Sequence, residues 1–436
     1  MPYFGDMIKD VEELQLWMDL AKEQGADLEP VEAEVRQFIK EMQKKVQKLQ
    51  PKPDYPYEEP DSLDEIKALR PDGPRKIPLS LTEEDLYDKI LGAWLGRSAG
   101  CVLGVPIEGR DRWFIESWAK KLGQPYPLNE YWADYPDVSR IHYSEPVDCH
   151  IKGKIDHVAP DDDLAYTVLG LLILEEYGPN FTSENVGQAW VKYLPMACTA
   201  EHVALENLKK GLIPPRTALV DNPYTEWIGA DIRSDPWGYA APGWPELVAE
   251  FAYRDACVSH TKNGIYGEMF FSAAIAAAFA VQNPLEALLI GLTEIPAKSR
   301  MAETVTETID WVNKDKDWDK TWHRIDEKYR GMHVVHTLNN AALTIAALLY
   351  SDGDFERSIA LAVMGGLDTD CTAATTGSIM GAILGAKNLP ARWIEPFNDR
   401  LTTYLIGHEE HKVSDLARRT IKVARLVESV KCKAQS

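Results

Sequence analysis

Basic residues are in short supply in this chain: 47 Lys and Arg stand against 68 Asp and Glu, a formal charge of −21 at pH 7 over 436 residues. Nucleic acid and anionic membrane surfaces both call for a basic patch, so neither is expected as a partner. A phosphate-bearing small molecule stays open, because metal ions or helix N-termini supply local positive potential. Cysteine is sparse. Cys101, Cys149, Cys198, Cys257, Cys371 and Cys432 are scattered with no CxxC pair, which excludes zinc-ribbon and thioredoxin spacing. In a chain of this length they read as free thiols of a reducing compartment. Residues 1–10 lack the apolar region of a signal peptide, and the apolar runs 270–281 and 379–386 are too short to cross a bilayer. A cytoplasmic location is the expectation. There is no Gly-x-Ser-x-Gly elbow and no P-loop. His333 and His336 lie three apart, but no third ligand follows at zincin spacing.

Strand-like alternation is also scarce, confined to 222–241 and the flanks of Trp132. Helical periodicity is abundant. Ile8, Val11, Leu14, Trp17, Met18 and Leu20, then Val31, Val35, Phe38, Met42, Val46 and Leu49, recur at helical spacing on either side of a break at 25–30. This predicts a helical hairpin over 1–50, with a narrow seam compatible with a homodimer. Residues 51–79 carry seven prolines among polar residues and read as a linker with sparse regular structure. A main domain over 80–430 opens at Thr82, an N-cap followed by acidic residues. Further helices are expected at 164–176, 185–190, 245–252, 270–281, 302–313, 341–350, 355–363, 376–386 and 413–429. Between them, 110–157 is rich in Trp, Tyr, Pro and Asp without sustained period, an irregular excursion able to roof a site. The fold class is mostly α-helical.

Two aspartate clusters stand out: Asp161-Asp162-Asp163 after Pro160, and Asp368-Thr369-Asp370-Cys371-Thr372. Each runs into an apolar helix-like stretch. A single Asp suffices to cap a helix. Several carboxylates packed together repel and raise each other's pKa unless a cation offsets them. Oxygen donors from Asp and Thr suit Mg²⁺, Ca²⁺ or Mn²⁺ better than zinc. Gly92, Gly96 and Gly100 recur every fourth residue and allow another backbone to approach one helix face.

With Gly92-Ala93-Trp94-Leu95-Gly96 and Gly104-Val105-Pro106-Ile107-Glu108 ahead of the two Asp clusters, the chain from about Leu86 to Leu426 resembles the ADP-ribosylglycohydrolase family. The resemblance implies an orthogonal all-α bundle, here with an N-terminal helical hairpin extension, and a cleft holding two Mg²⁺ ions, with Mn²⁺ as the alternative ion. It implies a small-molecule or protein-linked ADP-ribosyl or ribosyl substrate. The family's first motif usually reads Thr-Asp-Asp-Thr. Here Asp161 takes the first Thr position, Asp162 and Asp163 match, and Leu164 replaces the second Thr. In the second motif Asp368 and Asp370 match, while Cys371 stands where Thr is usual, so Thr372 or a water fills that ligand position. Asp161, Asp162, Asp163, Asp368, Asp370 and Thr372 are thus the expected metal ligands.

Glu108, Asp162 and Asp163 are the expected catalytic carboxylates, Glu108 serving as acid–base group unless it is simply an exposed loop residue. His260, Asn263, Gly264 and Tyr266 sit in a Gly-rich polar loop of the kind that lines the family's cleft. Arg233, which either forks onto an anion or pairs with a neighbouring Asp, and Asn339, which either binds substrate or caps a helix, complete the expected substrate set. Two rival readings are a glycosidase for a nucleoside or small sugar conjugate, and a family member kept as a non-catalytic binding or structural protein.

Overall fold

The computed structural model describes residues 5–134, 140–143 and 145–435. Among them twenty α-helices dominate, with two short antiparallel pairs: Ile141–His142 with Glu145–Pro146, and Arg400–Thr402 with Glu410–Lys412. The fold is all-α. It comprises two compact units, one reaching from the N-terminus to Tyr57 and including Tyr329–His333, the other made of Glu58–Lys328 and the chain from Val334 onward.

The first unit holds the helices Gly5–Glu23 and Glu29–Val46. They are separated by Gly25, whose φ of +82° is comfortable only without a Cβ. Met18 and Lys22 of one helix, with Val35 and Ile39 of the other and Leu28 at its N-cap, line a shared cleft. The second unit begins inside the proline-rich stretch. That stretch contains a helix, Leu63–Leu69, and its arginines are tied down: Arg70 and Arg75 meet the buried Glu294 carboxylate at 2.6 and 2.9 Å.

The centre of the second unit is an antiparallel pair of helices, Glu83–Gly104 and Thr369–Leu384. The first starts in a capping box: the Thr82 hydroxyl accepts from the Asp85 amide at 3.1 Å, and the Asp85 carboxylate accepts from the Thr82 amide. Glu83–Ile107 is long and apolar enough to cross a membrane by length and composition, but 89% of its apolar window is buried inside the protein, which marks a core helix. Its glycines set the distance to its neighbour. A Cβ on Gly92, Gly96 or Gly100 would lie 2.5, 2.1 and 1.9 Å from the carbonyl oxygens of Gly381, Gly377 and Ala373. Gly104 continues the ladder against the backbone of Asp370. The same glycine row that lets two backbones touch therefore fixes where the second acidic motif sits. Ala is the better helix former by about 1 kcal/mol, so Gly100→Ala would stabilise an isolated helix. Here the obstacle is backbone, which cannot swing aside. We expect a net loss of about 1–3 kcal/mol in urea unfolding.

The expected helices are present as Asp162–Tyr177, Ser183–Tyr193, Pro245–Ala256, Asn263–Ala278, Arg300–Asp315, Thr337–Tyr350, Phe355–Met364, Thr369–Leu384 and Val413–Gln435. Two readings are corrected. The strand-like 222–241 segment forms a 3₁₀ turn, Ile228–Arg233, and a short helix, Ser234–Ala240. In its second half the aromatic alternation reflects burial on all sides: Trp237 and Tyr239 are both inside the core. Trp132 is likewise a buried loop residue rather than part of a strand, and 135–139 lie outside the described residues. The excursion at 110–157 also contains a regular helix, Arg112–Leu122, capped by Asp111.

Candidate metal centre and active site

The first acidic motif opens the Asp162–Tyr177 helix. Asp161 is its N-cap, accepting from the Asp163 amide at 2.8 Å. Its other carboxylate oxygen lies 2.7 Å from His142 Nε2. Capping and clustering are thus both true of this residue. Asp163 is fully buried. One of its oxygens takes a 2.8 Å hydrogen bond from Arg97 Nη2, and the other, Oδ2, has no protein partner. Arg97 is itself at 0% exposure. It donates to Thr167 Oγ1 at 2.8 Å and the Ile232 carbonyl at 2.6 Å, and its Nη1 lies 2.6 Å from Asp235 Oδ2. It rises from the glycine-lined helix, so the element that seats the second motif also clamps the first. Asp162, half-buried, occupies the first helical turn and meets the Tyr143 side chain.

The second motif opens the Thr369–Leu384 helix after a turn in which Gly366 and Leu367 have φ of +78° and +67°. The Asp368 amide donates to Asn340 Oδ1 at 3.1 Å, while Asn340 Nδ2 donates to the Val334 and His336 carbonyls at 2.8 Å. The Leu367 carbonyl accepts from the Gly109 amide at 2.9 Å, which draws the Glu108 segment alongside. Asp368 Oδ1 and Asp370 Oδ1 are buried without protein partners.

The two motifs converge. Ligand-capable atoms of Glu108, Asp368 and Asp370 lie within 4.8 Å of one another, as do those of Asp163, Asp370 and Cys371, of His142, Asp161 and Asp370, and of Cys101, Asp161 and Asp163. The charge balance is poor without a cation. Burial, reinforced by neighbouring carboxylates, pushes Asp163, Asp368 and Asp370 above the usual carboxylate range. Burial and then Asp368 push Glu108 up to about 7. Asp161 is the exception: burial would raise it, but the His142 hydrogen bond outweighs that and holds it low. Three orphaned carboxylate oxygens aimed into one buried acidic pocket are what a divalent-cation site requires, so the residues present fit a metal.

A pH dependence follows. The metal-free native state holds protons on raised carboxylates that the unfolded chain has already released, so its stability is full below the ordinary carboxylate range and falls as pH rises toward about 7. Asp161 works in the opposite sense, as do His150 and His260, whose pKa values burial lowers. Raising the pH from 5 to 8 should therefore lower the melting temperature of chelator-treated protein relative to that of the ion-loaded protein, which isolates the acidic site's share.

The expected site residues divide into two groups. Glu108, Asp161, Asp163, Asp368 and Asp370 come together, with Asp162 next to them. Thr372 is buried close by, its hydroxyl donating to the Thr369 carbonyl at 3.3 Å. The expected substrate set is placed differently. Arg233 is fully enclosed by Asp255, Glu201 and the Ser259 hydroxyl at 2.5, 2.7 and 3.1 Å, so its fork is spent on internal carboxylates. His260 is buried against Ser259 Oγ at 2.8 Å, its pKa driven well down by burial and then by Arg233. Asn263 Nδ2 donates to Glu59 and Glu226, both at 2.8 Å, and its Oδ1 accepts from the Met301 amide. The Tyr266 hydroxyl donates to the Pro60 carbonyl at 2.5 Å, and a Cβ on Gly264 would strike the Thr225 carbonyl. This loop anchors the 59–61 segment, with the Lys262 amide donating to Asp61 as well. Asn339 accepts from the Asn340 amide, and it is Asn340 that reaches the second motif. His142, Cys101, Arg97 and Asn340 lie outside the set of residues to which the sequence points. Only Arg97 had a sequence signal, as the lone charge inside a Gly- and Ala-rich helical stretch.

A family model for ADP-ribosylglycohydrolase matches residues 82–429. An uncharacterized protein of Archaeoglobus fulgidus is 30% identical over 327 residues, covering 72% of this chain and 93% of the relative. The ADP-ribosylarginine hydrolase Tri1 of Serratia proteamaculans is 26% identical over 191 residues, covering 44% of this chain and 40% of Tri1. A solved structure titled ADP-ribosylglycohydrolase-related protein complex superposes with a TM-score of 0.49 at 20% identity, covering 79% of this chain and 99% of the other. The chain belongs to the ADP-ribosylglycohydrolase family.

Proposed function

We propose that this protein hydrolyses an N- or O-glycosidic bond of an ADP-ribosyl or related ribosyl substrate, free or protein-linked, at a site of two divalent ions held by Asp161, Asp162, Asp163, Asp368 and Asp370. Mg²⁺ is the first candidate ion. The observation that carries the reading is the convergence of buried carboxylates from two motifs some 200 residues apart, with oxygens of Asp163, Asp368 and Asp370 left unpaired. Bound divalent ions would offset the like charges, hold ribose hydroxyls and lower the pKa of a water. The chain's own residues do the rest. Arg97 and His142 fix the Asp163 and Asp161 carboxylates. Glu108, which burial and then Asp368 push up to about 7 in the metal-free protein, serves as proton donor or acceptor at the glycosidic bond. The carboxylate wall stabilises an oxocarbenium-like transition state. The six free thiols suit a reducing compartment, and the cytoplasm is the proposed setting.

The test is turnover of ADP-ribosyl-arginine, O-acetyl-ADP-ribose and simple ribosides by metal-loaded protein. Cleavage of either ADP-ribosyl compound supports the proposal. Cleavage of the simple ribosides alone would move the protein to the nucleoside and sugar-conjugate class, and no turnover of any would favour a binding role.

A further inference from the structure

The donor sets in the acidic pocket are chemically unlike. The group formed by Glu108, Asp368 and Asp370 offers carboxylate oxygens, with the Cys371 thiol reaching it only as a hydrogen-bond partner of Asp368. Around Asp163, Asp370 and Cys371 a thiol sulfur lies within 4.8 Å of two carboxylates, each of which aims an unpartnered oxygen into the pocket. The three side chains are enclosed, at 0, 2 and 6% exposure, so no bulk water competes for that corner. A second thiol, Cys101, lies beside Asp161 and Asp163 on the same side. The Thr372 hydroxyl, the neighbouring side chain that could offer oxygen in place of the sulfur, is engaged with the carbonyl of Thr369 in its own helix. Asp370 belongs to both sets and joins them.

Mg²⁺ takes oxygen ligands in near-octahedral order, whereas thiolate sulfur selects borderline and soft ions. We infer that the two ion positions differ in kind: the Asp368–Asp370 side takes Mg²⁺, and the Asp163–Asp370–Cys371 side takes a thiophilic divalent ion such as Zn²⁺ or Fe²⁺ through the Cys371 sulfur. This rests on the reading that the carboxylates hold divalent ions. On binding, the Cys371 S–H bond breaks, its proton goes to water and a metal–sulfur bond forms, with no change in oxidation state. A protein loaded with Mg²⁺ alone is then half-occupied.

The experiment uses Co²⁺ as a spectroscopic probe on the whole, metal-stripped chain. Titration should develop a near-ultraviolet sulfur-to-cobalt charge-transfer band that saturates at one Co²⁺ per chain and persists in excess Mg²⁺. Cys371→Ser should abolish the band while calorimetric Mg²⁺ binding remains, and Cys371→Thr gives a second variant should the serine protein fold poorly. Cys101→Ser should keep the band. Co²⁺ and Mg²⁺ binding with no sulfur band, or a band that survives in Cys371→Ser, would overturn the inference and leave the carboxylate site standing. Absence of binding by either ion would overturn both.

Discussion

Asp370→Asn should lower kcat/KM by about 10²–10³-fold, the scale of losing a charge aimed at a reacting centre, and at the same time raise the melting temperature of the metal-free protein. The two signs together are diagnostic. Asp370 belongs to three of the four donor groups in the pocket, so no other single carboxylate is shared as widely. Its burial and its neighbours Glu108 and Asp368 oppose its ionisation. In the metal-free state it is therefore a source of repulsion, and the amide relieves it. A residue kept only for packing or capping would lose stability on substitution, or show no effect on turnover. Steady-state kinetics and thermal unfolding in chelator, each against the wild type, read the two halves separately.

Arg97→Met should destabilise the protein by about 3–5 kcal/mol, the cost of removing one partner from a buried ionic cluster. That is a large share of the roughly 5–15 kcal/mol that holds a typical domain folded. The guanidinium is the cation directly paired with both Asp163 and Asp235, at 2.8 and 2.6 Å. Without it, two fully buried carboxylates must either stay charged in a low-dielectric interior or take up protons. Methionine fills similar volume, so the loss measures charge and hydrogen bonding more than a cavity. Arg97→Lys should recover only part, because one ammonium group cannot reach Asp163, Asp235, Thr167 and the Ile232 carbonyl together. Adding Asp235→Asn to Arg97→Met should restore some stability by removing one of the stranded charges. Urea midpoints of the four proteins decide this. A loss of under about 1 kcal/mol in Arg97→Met, the level of an exposed ion pair, would mean the cluster is solvated and not the frame of the site.

What could be read in the sequence was what is local. The helices with steady periodicity, the capping threonine at 82 and the glycine row at 92, 96 and 100 each carry their physical reason within a few residues. So do the acidic motifs, whose excess of carboxylate over capping need is visible in Asp161-Asp162-Asp163 itself. What could not be read was pairing over distance. Asn263 and Tyr266 have the composition of a ligand loop, but their partners, Glu59 and Pro60, lie some 200 residues away in a stretch that looked like a linker. For Arg233 the sequence leaves a bound anion and a neighbouring Asp equally open, because nothing nearby announces Glu201, Asp255 and Ser259 as its partners. His142 was hidden in an aperiodic segment and is placed on Asp161 by a two-residue strand pair too short to leave a pattern. The strand-like look of 222–241 has a related reason: from Ala230 to Ala241 the segment is buried on every face and loses the polar phase that tells a helix from a strand.

The central claim is that carboxylates from the two distant motifs share divalent ions, and calorimetric titration of the metal-stripped whole chain with Mg²⁺ and Mn²⁺ tests it most directly. Asp161→Asn preserves the helix cap, since Asn caps as well as Asp, and Asp370→Asn removes the shared carboxylate of the other motif. The account predicts saturable binding in the wild type that is weakened or lost in each variant alone. Binding heats unchanged by both substitutions, or no saturable binding in the wild type, would contradict it.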